Sequence, residues 1–379
     1  MCRTGGGHKK PFSPSKVALH PDKAAVGFLR IADITFIRAE GVAMGPEARS
    51  GAIAAAKRPL GSLRKAAPPQ QNTHWRASMS NTQKLIAVVG ATGQQGGAVV
   101  RALQASGQFK VRALTRNPAT HPKLGDEVVL ADFNRPETLK AAFARAHGVF
   151  LVTNSWEAQA DEPRQALAAV NAAKEAGVQH FIWSTLPNVE TISGGTIDVP
   201  HFTAKAKVEP IVSDAGFAYH TFVIAPFYYQ NLIGLMAPQK QPDGAVGWAL
   251  PLDPERRVIH MGDITELGRL VAGAFAQPDL AGRGEHLALV GDFLSFNEII
   301  ATLNQQGNSL SFKQVPREVF AGWFPHADGI AAMLAYFEAH TYLGSDSRDA
   351  IVLANKIAGQ QPTKFAAWAK ANFAIPAAT

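Results

Sequence analysis

The sequence predicts an α/β fold: a Rossmann-type, doubly wound parallel sheet followed by a smaller α+β substrate or lid subdomain. Three observations carry this. An apolar run at residues 85–89 ends on a glycine loop that opens a helical pattern. Strand-length apolar segments then alternate with amphipathic helical ones as far as residue 225, which implies parallel strands covered on both faces. Beyond Pro226 the alternation gives way to loops, short strands and isolated helices.

Each element has its own reason. Residues 85–89 are wholly apolar, as a strand buried on both faces requires. The helix after the loop sets Val99, Val100 and Leu103 at helical spacing. Residues 110–115 read as a second strand and 127–130 as a third, with a helix starting near Pro136, since proline is tolerated at a first helical position. Residues 148–153 form the fourth strand. A helix over 162–176 stops at Gly177, a residue suited to a helix C-terminus. Residues 180–184 and 219–224 supply strands five and six. Helices are then expected at 264–274, 296–303, 318–323 and 331–339, with 286–290 returning to the sheet edge.

The glycine loop carries the first chemistry. Gly90-Ala91-Thr92-Gly93-Gln94-Gln95-Gly96 sits between a strand and a helix, the context that gives a G-x-x-G-x-x-G pattern its meaning. Gly90 permits the tight turn, Gly93 lets the backbone approach a pyrophosphate, and Gly96 lets helix and strand pack closely. The amides at the helix start face the anion, where the helix dipole also favours negative charge. A dinucleotide site is expected.

Arg116 bears on which dinucleotide. It stands 20 positions after Gly96, where an NAD site usually carries a carboxylate for the ribose 2′-hydroxyl. A guanidinium grips a 2′-phosphate with two parallel hydrogen bonds, so NADP is expected in preference to NAD. The alternative is a solvated arginine at a strand end. Asp132 stands where an adenine amino group could be met, or is a plain turn residue before a helix.

Charge excludes one class of partner. The first 78 residues hold 13 of the 37 basic and 4 of the 30 acidic residues, which leaves 24 basic and 26 acidic in the remainder. The formal charge of +7 therefore belongs to the N-terminal segment, and the body advertises no nucleic-acid surface. Residues 1–78 lack sustained periodicity and are expected to be disordered. They read as an upstream extension before Met79, as a transit peptide, or as a basic arm. The one cysteine, Cys2, allows neither a disulfide framework nor a cysteine metal site, and no other metal-ligand spacing is evident. The apolar runs fall short of the roughly 20 residues that span a bilayer. A cytoplasmic protein is expected, with residues 79–225 mainly the dinucleotide core and 226–379 mainly the interleaved lid.

Several motifs share one pattern. Gly-Ala-Thr-Gly-Gln-Gln-Gly-Gly (90–97), Thr-Arg-Asn-Pro (115–118), Val-Thr-Asn-Ser-Trp (152–156) and His-Phe-x-x-Lys (201–205) together resemble the NmrA-like family, atypical relatives of the short-chain dehydrogenases. Pro-Phe-Tyr-Tyr-Gln-Asn-Leu (226–232) and Ala-Pro-Gln-Lys-Gln-Pro-Asp-Gly (237–244) continue the match, which runs from about residue 84 to 373. The resemblance implies a phosphate loop of Gly90 to Gln95, with Arg116 and Asn117 at the 2′-phosphate and Asp132 and Phe133 beside the adenine. It implies Thr153, Asn154 and Ser155 along the ribose and nicotinamide path. Lys205 would reach the nicotinamide ribose, and Tyr228, Tyr229, Gln230 and Asn231 would close over that end.

Catalysis is the open question. Active short-chain dehydrogenases use Tyr-x-x-x-Lys, one helical turn apart, so that lysine and phenol share a face. Here the pair is His201-x-x-x-Lys205: the lysine is kept and the phenol replaced. His201 is either a proton-transferring imidazole or a polar residue at a helix start. Ser184 is either a substrate-orienting hydroxyl or a strand-end cap.

The resemblance offers two functions, and intact cofactor motifs beside a missing phenol favour the first. One is an NADP(H)-binding redox sensor that passes its state to a protein partner such as a transcription regulator. The other is an NADPH-dependent reductase of a small carbonyl, quinone or aromatic substrate. A scaffold that no longer binds cofactor is a third class. A homodimer is compatible with each.

Overall fold

A computed structural model describes residues 83–155, 161–241, 243–324 and 326–374. The expectation of disorder for residues 1–78 lies outside the described residues.

Seven parallel strands form the main sheet. They are β1 (Lys84–Val88), β2 (Phe109–Thr115), β3 (Glu127–Leu130), β4 (Gly148–Leu151), β5 (His180–Thr185), β6 (Tyr219–Ile224) and, later in the chain, β11 (Arg283–Ala288). Their spatial order is β11-β6-β5-β4-β1-β2-β3. The chain thus winds outward from β1 in one direction, then crosses to β4 and winds outward in the other. Period-two alternation divides β1 between two cores. Ile86 and Val88 pack with α1 (Gln94–Ser106) on one face, and Ala87 and Val89 with α2 (Pro136–Phe143) and α3 (Glu162–Glu175) on the other. Each such isoleucine or valine, fully buried, stabilises the fold by about 1.5–3 kcal/mol.

The predicted strands and helices of this half stand within two residues of their expected limits. The fourth strand stops at Leu151 rather than residue 153, and the freed residues turn toward a cleft. Gly177 follows α3 with φ of 72°, a left-handed conformation that glycine adopts without strain. A short helix α4 (Pro200–Ala206) carries His201 and Lys205.

Beyond Pro226 the chain adds small sheets and helices, and Leu267, Leu270, Val271 and Phe275 join Ile86, Val88 and Val99 in the core of the main sheet. Strands β7 (Phe227–Tyr228) and β10 (Ile259–Gly262) pair in parallel, with β12 (Asp292–Leu294) antiparallel to β10. A second small sheet joins β8 (Gln239–Lys240), β9 (Val246–Leu250) and β13 (Leu310–Gln314). The expected helices are present as α5 (Leu267–Ala276), α6 (Phe296–Gln305), a short turn at Arg317–Ala321, and α7 (Ala327–His340). The helix expected from residue 264 opens as a 3₁₀ turn at Ile264–Glu266. Among the described residues, the longer helices that the sequence left unassigned include α8 (Arg348–Ala358) and α9 (Phe365–Asn372). Phe365 and Trp368 of α9 enter an aromatic core with Tyr229, Phe296 and Phe337.

Candidate dinucleotide-binding site

The C-terminal ends of β1 to β5 surround a cleft of about 770 Å³. It opens where the strand order reverses beside β1, the position at which open α/β sheets bind ligands.

One end of this cleft is made of backbone. Gly90 turns the chain out of β1 with φ of 69°, a conformation that disfavours other residues. A Cβ on Gly96 would lie 2.2 Å from the Gly90 carbonyl oxygen, so only glycine lets α1 start this close to the strand. Gly93 is the N-cap of α1, no side chain caps the first turn, and no acid lies in it. The positive end of the helix dipole therefore meets the cleft undiluted, and the loop fits a pyrophosphate. Gly90, Thr92, Gly93, Gln94, Gln95 and Gly96 line the cleft, whereas Ala91 is buried in the core behind it.

Arg116 and Asn117 line the next stretch, at the end of β2, with His121 beside them. Asp132 and Phe133 are also brought to the cleft. The Asp132 carboxylate accepts from the Asn134 amide at 2.9 Å and from Arg135 Nε at 3.3 Å, so it organises the turn before α2.

The opposite end is built from side chains. Thr153, Asn154, Ser155, Ser184, His201, Lys205 and Tyr228 all line it. Lys205 is buried, and its ammonium donates to Glu162 Oε1 at 2.6 Å, Thr153 O at 2.9 Å and Thr153 Oγ1 at 3.1 Å. An ammonium has three donors, and these three acceptors match that number. Burial lowers the Lys205 pKa, and the Glu162 carboxylate opposes that shift. The Trp183 ring lies 5.5 Å from Nζ, and Trp183 Nε1 donates to the Lys205 carbonyl at 3.0 Å. His201 is pushed down to about 4, chiefly by burial, with Lys205 adding to the shift and Glu162 opposing it.

A second group faces Lys205 across the cleft end. Ser184 Oγ donates to Gln95 Oε1 at 2.6 Å, and Gln95 Nε2 donates to the Tyr228 hydroxyl at 2.7 Å. Burial raises the Tyr228 phenol above its ordinary value, and the Gln95 hydrogen bond partly offsets this.

Residues 229–231 go elsewhere. After Tyr228 the chain enters a 3₁₀ turn (Tyr229–Ile233) that carries them away from the cleft lining. Tyr229 packs against Phe365 and Trp368, with its hydroxyl 3.3 Å from Asp292 Oδ2. Gln230 Nε2 donates to Asp263 at 2.7 Å, and the Asn231 carbonyl accepts the Gly234 and Met236 amides.

Sequence reasoning missed Glu162, Gln165, Thr185, Leu186 and His121. Glu162 and Gln165 lie three apart on α3, so helical spacing placed them on one face, but nothing local tied that face to Lys205. Among the described residues, no group of three or more His, Cys, Asp or Glu could hold a metal ion, and no helix is long and apolar enough to cross a membrane.

The model of the NmrA-like family matches residues 82–369. The chain belongs to the NmrA-like family. An NmrA-like family domain-containing protein of Dictyostelium discoideum is 31% identical over 268 residues, covering 68% of this chain and 88% of that one. An NmrA-like oxidoreductase, FrzB of a Cladobotryum species, is 31% identical over 248 residues, covering 58% and 73% respectively. The crystal structure of NmrA, a negative transcriptional regulator, matches with a TM-score of 0.65 at 25% identity, covering 76% of this chain and 95% of that one. That regulator has been crystallised with NADP and also with NAD. This NmrA-like chain therefore has relatives among both regulators and oxidoreductases, on a fold that holds either dinucleotide.

Proposed function

We propose that this protein is an NADPH-dependent oxidoreductase that reduces a small carbonyl, quinone or other oxygen-bearing aromatic compound. The hydrogen-bond chain Ser184–Gln95–Tyr228 carries the reading. Because Gln95 donates to the phenol oxygen, the Tyr228 hydrogen remains to be donated into the cleft. The oxidoreductase relative FrzB supports the same class.

The residues divide the work. Loop amides at Gln94 and Gln95, at the open start of α1, hold the pyrophosphate, and Arg116 meets the 2′-phosphate, which favours NADP over NAD. Reduced nicotinamide, when bound, supplies a hydride. Tyr228 positions the acceptor oxygen and passes its phenolic proton to that oxygen as negative charge develops there. A phenol with a raised pKa keeps its proton at neutral pH and still yields it to an alkoxide. His201 suits the donor role poorly: with a pKa of about 4, on the order of one molecule in a thousand is protonated at pH 7.

A specific observation favours a second reading, the redox-responsive regulator. The Lys205 donors are already used within the protein, so the lysine of the short-chain dehydrogenase pair does not reach outward. Steady-state NADPH oxidation by the full chain, over a panel of quinones, aldehydes and ketones, separates the two. Turnover of at least one quinone or carbonyl is expected. Micromolar NADPH binding with no turnover across the panel would select the regulator.

A further inference from the structure

We infer that Lys205 and Glu162 form a buried clamp, in which Lys205 ties the end of β4 to the start of α3 instead of contacting the dinucleotide. The inference rests on the dinucleotide reading of the cleft, but not on its catalytic activity.

The geometry is closed. Lys205 Nζ donates to both the carbonyl and the hydroxyl oxygen of Thr153, and to Glu162 Oε1. The Thr153 hydroxyl in turn donates to the same Glu162 oxygen. Three residues, from the turn after β4, from α3 and from α4, therefore make one triangle of charge-assisted hydrogen bonds. Lys205 and Glu162 are 7% and 3% exposed, so neither charge is screened by water. Among the described residues Glu162 Oε2 is buried without a hydrogen-bond partner, so the carboxylate depends on the side that faces Lys205 and Thr153. Thr153 is followed by Asn154 and Ser155, which line the cleft beside it. Holding Thr153 from both its carbonyl and its hydroxyl fixes where this wall begins. The titratable neighbour on α4 is His201, which faces the same pair and stays neutral near pH 7.

The lysine is thus a positioning residue, and Glu162 is its counter-charge. Removing one partner leaves the other as an unpaired buried charge, whereas replacing both with apolar groups removes the penalty. A direct ribose contact has no such reciprocity.

A double-mutant cycle on the full chain tests this: Lys205→Met, Glu162→Leu and the pair together, with NADP affinity measured by calorimetry and stability by melting. Each single variant is expected to weaken NADP at least tenfold and to lower the melting temperature. The double variant should recover affinity to within about threefold of wild type. A double variant as weak as Lys205→Met, beside a Glu162→Leu variant that binds normally, would overturn the clamp. If the single variants do not fold, ¹⁵N NMR of the lysine ammonium groups in unaltered protein decides. A Lys205 signal slow to exchange and unmoved by saturating NADP supports the clamp, and one that shifts on NADP addition contradicts it. If wild-type protein binds neither NADP nor NADPH, the dinucleotide reading fails. The ammonium's exchange protection and the melting cycle then judge the clamp alone.

Discussion

The two ends of the cleft are built by different means. At the phosphate end, consecutive residues 90–96 supply backbone amides, and the only demand on side chains is that they be absent where α1 meets β1. At the inner end the working groups are side chains drawn from distant places. Gln95 meets Tyr228 across 133 residues and Ser184 across 89, and Lys205 meets Thr153 across 52 and Glu162 across 43. A backbone site is a local property of sequence. A side-chain site is a property of the fold. The first binds a group common to many ligands, and the second is where one relative can come to differ from another in chemistry.

Breaking the phosphate end should give the largest effect. In Gly96→Val the new Cβ would collide with the Gly90 carbonyl at 2.2 Å and its carbon at 2.5 Å, both backbone atoms that cannot swing aside. NADP binding should fall below detection by calorimetry, with a lowered melting temperature. Binding within threefold of wild type would show that the loop does not carry the pyrophosphate.

Arg116→Glu tests the proposed 2′-phosphate contact. A charge-assisted contact becomes repulsion, so NADP affinity should drop at least tenfold while NAD affinity changes little. An equal loss for both dinucleotides would remove the 2′-phosphate role.

The smallest effect lies away from the cleft, in two buried histidines. Burial holds His180 at about 3 and His260 at about 4, below the ordinary 6.5. His180 Nε2 lies 2.9 Å from Thr221 Oγ1, and His260 stacks on Phe293 at 4.3 Å. Both pKa values are depressed in the folded state, so the stability is fully present above pH 6.5. It is lost as pH falls from there toward 4, because only the unfolded chain takes up protons in that window. Each contributes a slope approaching about 1.4 kcal/mol per pH unit. Melting curves between pH 7 and 5 should decline, and His260→Phe should flatten part of that decline. A decline unchanged by His260→Phe would assign it to other groups.

The contrast between the ends also explains what the sequence revealed. The sheet was legible because its strands are apolar on both faces and are punctuated by Gly, Pro and Asn, as at Arg116-Asn117-Pro118. Gly90, Gly93, Gly96 and Arg116 were legible because strand, loop and helix context is local. Tyr228 was placed at the cleft by family resemblance, but its bond to Gln95 was beyond reach of any spacing rule. Tyr229, Gln230 and Asn231 were read with it as one stretch, yet the 3₁₀ turn rotates them into other contacts. Glu162 stood at the head of α3 among ordinary helix-start acids, and only the fold sets it against Lys205. Helix α8 escaped because it fully buries just Ala354 and Ile357, and α9 because it is short and Phe365 and Trp368 find their partners in distant elements.

The proposed division of labour puts the chemistry at the inner end and leaves cofactor binding to the phosphate end. Tyr228→Phe tests it most directly, because it removes one hydroxyl and leaves the ring and the glycine loop in place. On a substrate turned over by wild-type protein, kcat should fall by about 10²-fold or more, as expected for loss of a general acid. NADPH affinity should stay within threefold. An unchanged kcat, or a loss confined to NADPH binding, would show that Tyr228 is not the proton donor.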